Sequence, residues 1–365
     1  MIILFEMNHP AHFHLFRNTI ASLSKGGNKI IVAVKNKDVL LSLIKEIDNK
    51  VLVINRRDTP KRRGVIANLL WLIQNNIAIY AICQKCHPDI LVGCNYATSQ
   101  IGRLLSIPSL TFAEDDWFIT KEIARIGYTF TSTLLSPISC NMDPFKHKTI
   151  YYHGFHKLAY LHPDVFNSKR KKLKIDMKET QYFLIRLSAF NAYHDHNVKG
   201  LHPLLLKKVI DILKPHGKIF LSLEDGLNIG FEEYRLQIDP NDMHHFLANA
   251  ALFIGDSQSM AVESAMLGVP NIRFNDFVGK IGVLNEIENK WSLSTGIHSS
   301  KEMLLLETIK DHVDNNYYLN EYQVRRKAML NEKINVSKFM TWFIINYPRS
   351  VSILHNNPDY QVRFI

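Results

Sequence analysis

Short apolar runs alternate with helix-length segments along almost the whole chain. This alternation narrows the fold more than any other feature. Ile2-Ile3-Leu4-Phe5 reads as a strand, and a helical pattern follows from about His14 to Ser24, ended by Gly26-Gly27. Lys29 to Val34 is a β-branched strand, Asp38 to Ile47 a helix with Asp38 near its N-cap, and Val51 to Ile54 a third strand. Val65 to Lys85 reads as a long helix, Asp89 to Val92 as a strand, Thr98 to Leu105 as a helix and Ser109 to Phe112 as a strand. The pattern weakens from about Asn141 to Lys178, where Pro144, Pro163 and Lys169-Arg170-Lys171-Lys172 suggest a linker. It then resumes with strands at Tyr182 to Leu187, Lys218 to Leu223, Ala251 to Gly255 and Asn271 to Phe274. Helices at His202 to Leu213, Asp242 to Asn249 and Ser259 to Leu267 lie between them, and the chain looks helical from about Lys301 to Asn346.

Such alternation predicts an α/β fold with parallel sheets covered by helices on both faces. A length of 365 residues suggests two domains. We expect two tandem Rossmann-like domains, 1–165 and 166–335, with a cleft between them and a terminal helix and tail at 336–365. In such folds ligands sit beyond the carboxyl ends of the strands, so chemistry is sought in the loops that follow strands.

The composition is 46% hydrophobic and 21% charged, which excludes a disordered tail, a collagen and a disulfide-stapled mini-protein. Lys and Arg total 44 against 34 Asp and Glu, a net charge of +10 that favours an anionic partner. A nucleotide, a nucleic acid or a lipid surface would serve. The basic residues are scattered without an interleaved aromatic motif, so no nucleic-acid partner is expected. Cys83, Cys86, Cys94 and Cys140 lie in the first half with no secretory leader, which predicts reduced thiols and a cytoplasmic protein. The apolar stretch Val65 to Cys83 is interrupted by Asn68, Gln74, Asn75 and Asn76, and does not read as a transmembrane segment.

The segment Ala251 to Pro270, ALFIGDSQSMAVESAMLGVP, reads as strand, polar turn, helix, glycine stop and next strand. Ser257, Gln258 and Ser259 would lie at the helix N-terminus, where free N–H groups and the dipole favour a phosphate. Glu263, four residues after Ser259, could accept hydrogen bonds from a ribose diol. The plainer reading is an Asp/Ser N-cap with Glu263 solvated. The first loop, Glu6 to His14, carries His9, His12 and His14. A histidine there suits a general base, with His12 favoured; caps, packing or part of a metal site are the alternatives.

Glu114-Asp115-Asp116 follows a strand and could act as a base or bind sugar hydroxyls, or form a helix N-cap cluster. Arg186 and Arg273 end strands and could each neutralise a diphosphate, with Lys280 a weaker case; the bland reading is a surface ion pair. His194 and His196 have no assignable role. Cys83-Gln-Lys-Cys-His87 spells a haem-attachment pattern, but it ends a core helix just before Pro88, and its cysteines read as packing or facing solvent on that helix. Arg56, Arg57, Lys61, Arg62 and Arg63 precede the apolar, Trp71-bearing stretch, which fits a membrane-surface contact or a basic loop beside a buried helix.

The Ala251–Pro270 segment resembles the donor-site motif of GT-B glycosyltransferases and non-hydrolysing UDP-N-acetylglucosamine 2-epimerases. There an Asp-Ser-Gly-Gly turn holds the diphosphate and a helix Glu holds the ribose. Ser257, Gln258 and Ser259 match the turn and Glu263 the ribose Glu, with Gln258-Ser259 standing in place of Gly-Gly. Asn8 to Phe16, Tyr152 to Leu161, Asp242 to His245, Ile254 to Gln258 and Phe277 to Lys280 together resemble a prokaryotic family of predicted glycosyltransferases, domain of unknown function 354.

The resemblance implies a GT-B-like fold whose second domain binds a nucleotide sugar, UDP-linked, without metal or cofactor. The first domain would bind a glycan or lipid-linked acceptor, with His12 as base. The last helix, around Ser337 to Asn346, would cross back onto the first domain. The product would be a surface-polysaccharide or glycolipid intermediate made in the cytoplasm, at the inner face of the membrane. A UDP-sugar 2-epimerase and a non-catalytic nucleotide-sugar or polyanion binding protein are the rivals.

Overall fold

The computed structural model describes residues 1–35, 38–45, 47, 50–56, 65–167, 181–188, 200–224, 230–315 and 318–365. The chain divides into two compact units. One comprises Met1–Tyr160 together with Lys333–Ile365, the other Leu161–Glu332.

The first unit is built on seven parallel strands: β1 (Ile2–Met7), β2 (Lys29–Lys35), β3 (Leu52–Arg56), β4 (Ile90–Gly93), β5 (Ser109–Phe112), β6 (Thr133–Pro137) and β7 (Thr149–Tyr152). Their order is β3-β2-β1-β4-β5-β6-β7, so the sheet reverses its direction of growth between β1 and β4. The loops after those two strands part there, which opens a crevice at the sheet's carboxyl edge. The helix Pro10–Lys25 follows β1. His9 caps it by accepting from the Ala11 N–H, and Pro10 stands in its first turn, where no N–H is needed. Its Phe13, Phe16, Ile20 and Leu23 are buried.

The chain returns to this unit at Lys333, whose ammonium lies 4.6 Å over the Phe155 ring. The helix Val336–Ile345 then packs on Pro10–Lys25, and Phe339 meets the ring of Tyr152.

The second unit has five parallel strands: β8 (Tyr182–Leu187), β9 (Lys218–Leu223), β10 (Leu252–Gly255), β11 (Asn271–Phe274) and β12 (Thr295–Ile297). Their order, β12-β11-β10-β8-β9, reverses between β8 and β10. Its core joins Phe183, Ile185, Ile254 and Ile272 of the strands to Leu205, Val209 and Ile309 of the covering helices.

Strands β6, β7 and β12 have no counterpart in the sequence reading. Thr133–Pro137 is short and mixed, Thr149–Tyr152 lies inside the segment expected to be a linker, and β7 and β12 are edge strands. Edge strands are paired on one side only and show a weaker apolar signature. The run from Lys301 resolves into the helices Glu302–Asp314, Tyr318–Leu330 and Val336–Ile345, followed by Arg349–Asn356.

Candidate functional site

In the second unit the switch point lies between the ends of β8 and β10, which pair Arg186 with Gly255. Beyond β10 the chain turns at Asp256-Ser257 into the helix Gln258–Leu267. From Met260 to Leu267 every residue of that helix is buried, because it packs among Met243–Ala248, Gly282–Asn289 and Tyr318–Leu330. Only its first turn is open: Ser257 and Gln258 are half-buried and Ser259 is exposed. First-turn N–H groups have no intrahelical acceptor and mark the positive end of the dipole. The Ser257 hydroxyl accepts from Met260 N–H at 3.4 Å, so Ser257 is also an ordinary N-cap. The far end is sealed. Gly268 takes φ +68°, where a Cβ would meet the Gln323 side chain at 2.7 Å, and Gln323 donates to the Leu267 and Gly268 carbonyls.

Asp256 enters the sequence reading only as part of an Asp/Ser cap. Its carboxylate is 3% exposed, and Oδ1 accepts from Ser188 N–H at 2.7 Å, which ties the loop after β8 to the turn after β10. Burial pushes this carboxyl up to about 7, against the opposing pull of the Ser188 hydrogen bonds and Arg186. The folded chain therefore holds a proton that the unfolded chain releases near pH 4. Stability should fall as pH rises from about 4 to about 7 and level off above that. Asp256→Asn should remove this slope, as denaturant unfolding at about pH 5 and about pH 8 will measure; an unchanged slope would assign it to other groups.

Arg186 is half-buried, and its Nη1 donates to Ser222 Oγ at 2.8 Å and to the Leu223 carbonyl. Glu263 lies one turn inside the helix, with Oε1 3.3 Å from His244 Nε2. It is largely buried rather than solvated. His244 belongs to the Asp242–His245 stretch noted in the sequence, but its partnership with Glu263 spans 19 positions and left no local signal.

Arg273 requires a correction. It is 0% exposed; Nε and Nη2 donate to Glu288 and Nη1 to Asn275. Its guanidinium is spent inside the fold and does not reach a ligand. Strand β11 is covered on both sides, so even its arginine is interior. Lys280 is exposed on the turn after β11.

In the first unit, the histidines divide. His9 is exposed and caps its helix. His14 is buried, with the rings of Phe13 and Tyr160 each 5.3 Å away, so it packs within this unit. His12 is half-buried at the switch point, and its Nδ1 accepts from Asn8 N–H at 3.3 Å. That contact orients the ring where the chain leaves β1.

Glu114 is also reassigned. Its Oε1 accepts from His156 N–H at 2.6 Å, and its Oε2 is held by the Lys157 ammonium. Burial pushes the carboxyl up, but Lys157 and His156, by charge and by hydrogen bonding, hold it below the usual range. A carboxylate so held is a poor base. It pins the loop after β7 to the end of β5. Asp116 likewise accepts from Asn141 N–H at 2.6 Å and braces a turn. Asp115 is half-buried at the same strand end.

Among the described residues, no three His, Cys, Asp or Glu side chains converge as a metal site. Cys83 is buried in the core helix, its thiol pushed up to about 12 by burial and then by Cys86. Arg57, Lys61, Arg62, Arg63, Lys169 to Lys172, His194 and His196 lie outside the described residues. No described helix is long and apolar enough to cross a membrane.

Two parallel sheets of seven and five strands, each flanked by helices, define a GT-B-like two-domain α/β protein. Among solved structures, the chain is similar to a UDP-GlcNAc 2-epimerase from Neisseria meningitidis bound to UDP-GlcNAc. The TM-score is 0.72 at 12% identity, over 95% of this chain and 100% of that one. It is similar to a UDP-GlcNAc 2-epimerase from Methanocaldococcus jannaschii in complex with UDP-GlcNAc and UDP, with TM-score 0.62 and 13% identity over 86% and 93%. It is also similar to the spinosyn rhamnosyltransferase SpnG, with TM-score 0.59 and 11% identity over 93% and 99%. No family model matches the chain. No curated protein matches it in sequence.

Proposed function

We propose that the protein is a glycosyltransferase that takes a sugar from a UDP-linked donor, without a metal, and acts in the cytoplasm. The observation that carries this reading is the helix Gln258–Leu267, buried along its body and open only at its first turn, at a sheet switch point. Its N–H groups and Arg186 suit a diphosphate, and Glu263 suits a ribose diol. The similar folds that bind UDP-GlcNAc, and the motif resemblance to the domain-of-unknown-function 354 family, support it.

In the reaction, the bond from the sugar's anomeric carbon to the diphosphate breaks, and one to an acceptor hydroxyl oxygen forms. The departing diphosphate gains charge, which fixed N–H donors and an arginine stabilise. The acceptor proton must go to a base, and His12 is the residue we propose for that task, with Asp115 as the alternative.

A 2-epimerase is the second reading. It is favoured by the folds bound to UDP-GlcNAc. Calorimetric titration with UDP, GDP and CMP in EDTA should show selective UDP binding. No binding of any nucleotide, or binding only after a divalent ion is restored, would overturn the proposal. NMR of the incubated UDP-sugar separates the readings: a C2 epimer formed without acceptor assigns the epimerase.

A further inference from the structure

Strand β1 lies in the middle of the first sheet, and its Ile3, Leu4, Phe5 and Met7 are fully buried. Glu6 stands among them and is equally buried, at 0% exposed. A strand covered on both faces normally carries apolar side chains. A carboxyl placed there is costly unless it is hydrogen-bonded. Gly93 ends β4, the neighbour of β1 at the switch point. A Cβ on Gly93 would lie 3.5 Å from Glu6 Cβ and 3.0 Å from Thr98 Oγ1, so the missing side chain leaves room beside Glu6.

Glu6 Oε1 accepts from Asn8 Nδ2 at 3.0 Å. The pairing of β1 with β2 ends at Met7 and Val34, one residue short of Asn8. The Asn8 side chain thus ties its backbone back to the strand through Glu6. The Asn8 N–H in turn donates to His12 Nδ1 at 3.3 Å. The link runs from a rigid strand, through one amide residue, to the half-buried ring. Functional side chains are held most closely when rigid elements and a supporting layer of hydrogen bonds fix them.

We propose that Glu6 is a positioning residue, which holds Asn8 and through it the His12 ring at the first unit's switch point. Its bearing on catalysis rests on the reading of His12 as the base. Glu6 is sealed inside the sheet, so it acts through the ring and not on the reacting atoms. A base must lie within hydrogen-bond reach of the proton it takes. A misplacement of about 1 Å can cost about 100-fold in rate.

The first test is hydrogen exchange on the full chain without nucleotide, read at the backbone amide of residue 8. In Glu6→Leu and in Asn8→Ala this amide should exchange about tenfold faster, while those of Leu4 and Ile31 keep their rates. Glu6→Gln keeps an oxygen for Asn8 and should return the rate to within about threefold of wild type. An unchanged residue-8 amide would overturn the proposal. So would equal acceleration of all three amides, which marks a packing role alone. The second test is UDP release from UDP-GlcNAc, with water as acceptor. Glu6→Leu should lower kcat about 100-fold at unchanged KM, and should cost nothing further in a His12→Ala background. An equal loss in that background would overturn the proposal. Turnover absent even from wild type would fail the transferase reading, and the exchange result would still decide whether Glu6 holds His12.

Discussion

Glu114→Ala should destabilise the first unit by about 3–5 kcal/mol, because it leaves the Lys157 ammonium buried without its counter-ion. Both side chains are about nine-tenths buried, and the carboxylate also holds the His156 N–H, so no solvent replaces what is lost. Removing both charges together should be far milder. Glu114→Leu with Lys157→Met should recover most of the loss, since a matched apolar pair avoids the desolvation of two ions. Denaturant titration of the three variants will measure this. If Glu114→Ala unfolds at the wild-type midpoint, the pair is no brace and Glu114 returns as a candidate for chemistry. The pH dependence has a definite sign. A carboxyl whose folded value is depressed stabilises above its unfolded value, near 4.5 here, and that contribution fades as pH falls below it. The variant should therefore differ most from wild type at neutral pH and converge with it in acid.

The second large effect concerns Glu263. Hydrogen bonds to a charged group are each worth about 1.5–3 kcal/mol. A carboxylate accepting from a ribose diol should thus give UDP roughly 100-fold in affinity, which Glu263→Ala would lose. Glu263→Gln keeps the shape and the contact with His244 while removing the charge, and should lose about tenfold. A deoxyribose nucleotide supplies the control. 2′-Deoxy-UDP should bind the wild type more weakly than UDP, and Glu263→Ala should no longer distinguish the two. If Glu263 serves only the buried pair with His244, substitution will lower the melting temperature and leave UDP affinity untouched. Calorimetry and thermal melting on the same samples decide between these outcomes.

Much of the architecture is legible in the sequence. Runs such as Lys29–Val34 and Tyr182–Leu187 are apolar throughout because strands of a parallel sheet are covered on both faces. The turn at Ser257 was legible for the same local reason, as a cap residue between an apolar strand and a helix ended by Gly268. The strands at Thr133–Pro137 and Thr149–Tyr152 were not, because short strands with polar or edge positions carry little periodicity.

The candidate site was legible in its location and not in its chemistry. Arg273 and Arg186 both occupy strand ends and look equivalent in sequence. Only the packing of Glu288, 15 positions on, shows that Arg273 is consumed internally. Glu114 looked like a base until Lys157, 43 positions away, was found against it. His14 looked like His12 until Tyr160 closed over it.

The amino-acid sequence by itself determined the class of fold, the points where loops follow strands and the helix end that faces them. Those properties follow from which residues prefer to be buried and at what spacing, and that is encoded within a few residues of each position. The tertiary structure alone decided which charges are paired, which are raised by burial and which face solvent. Such outcomes depend on partners brought together from distant parts of the chain and on the water excluded between them.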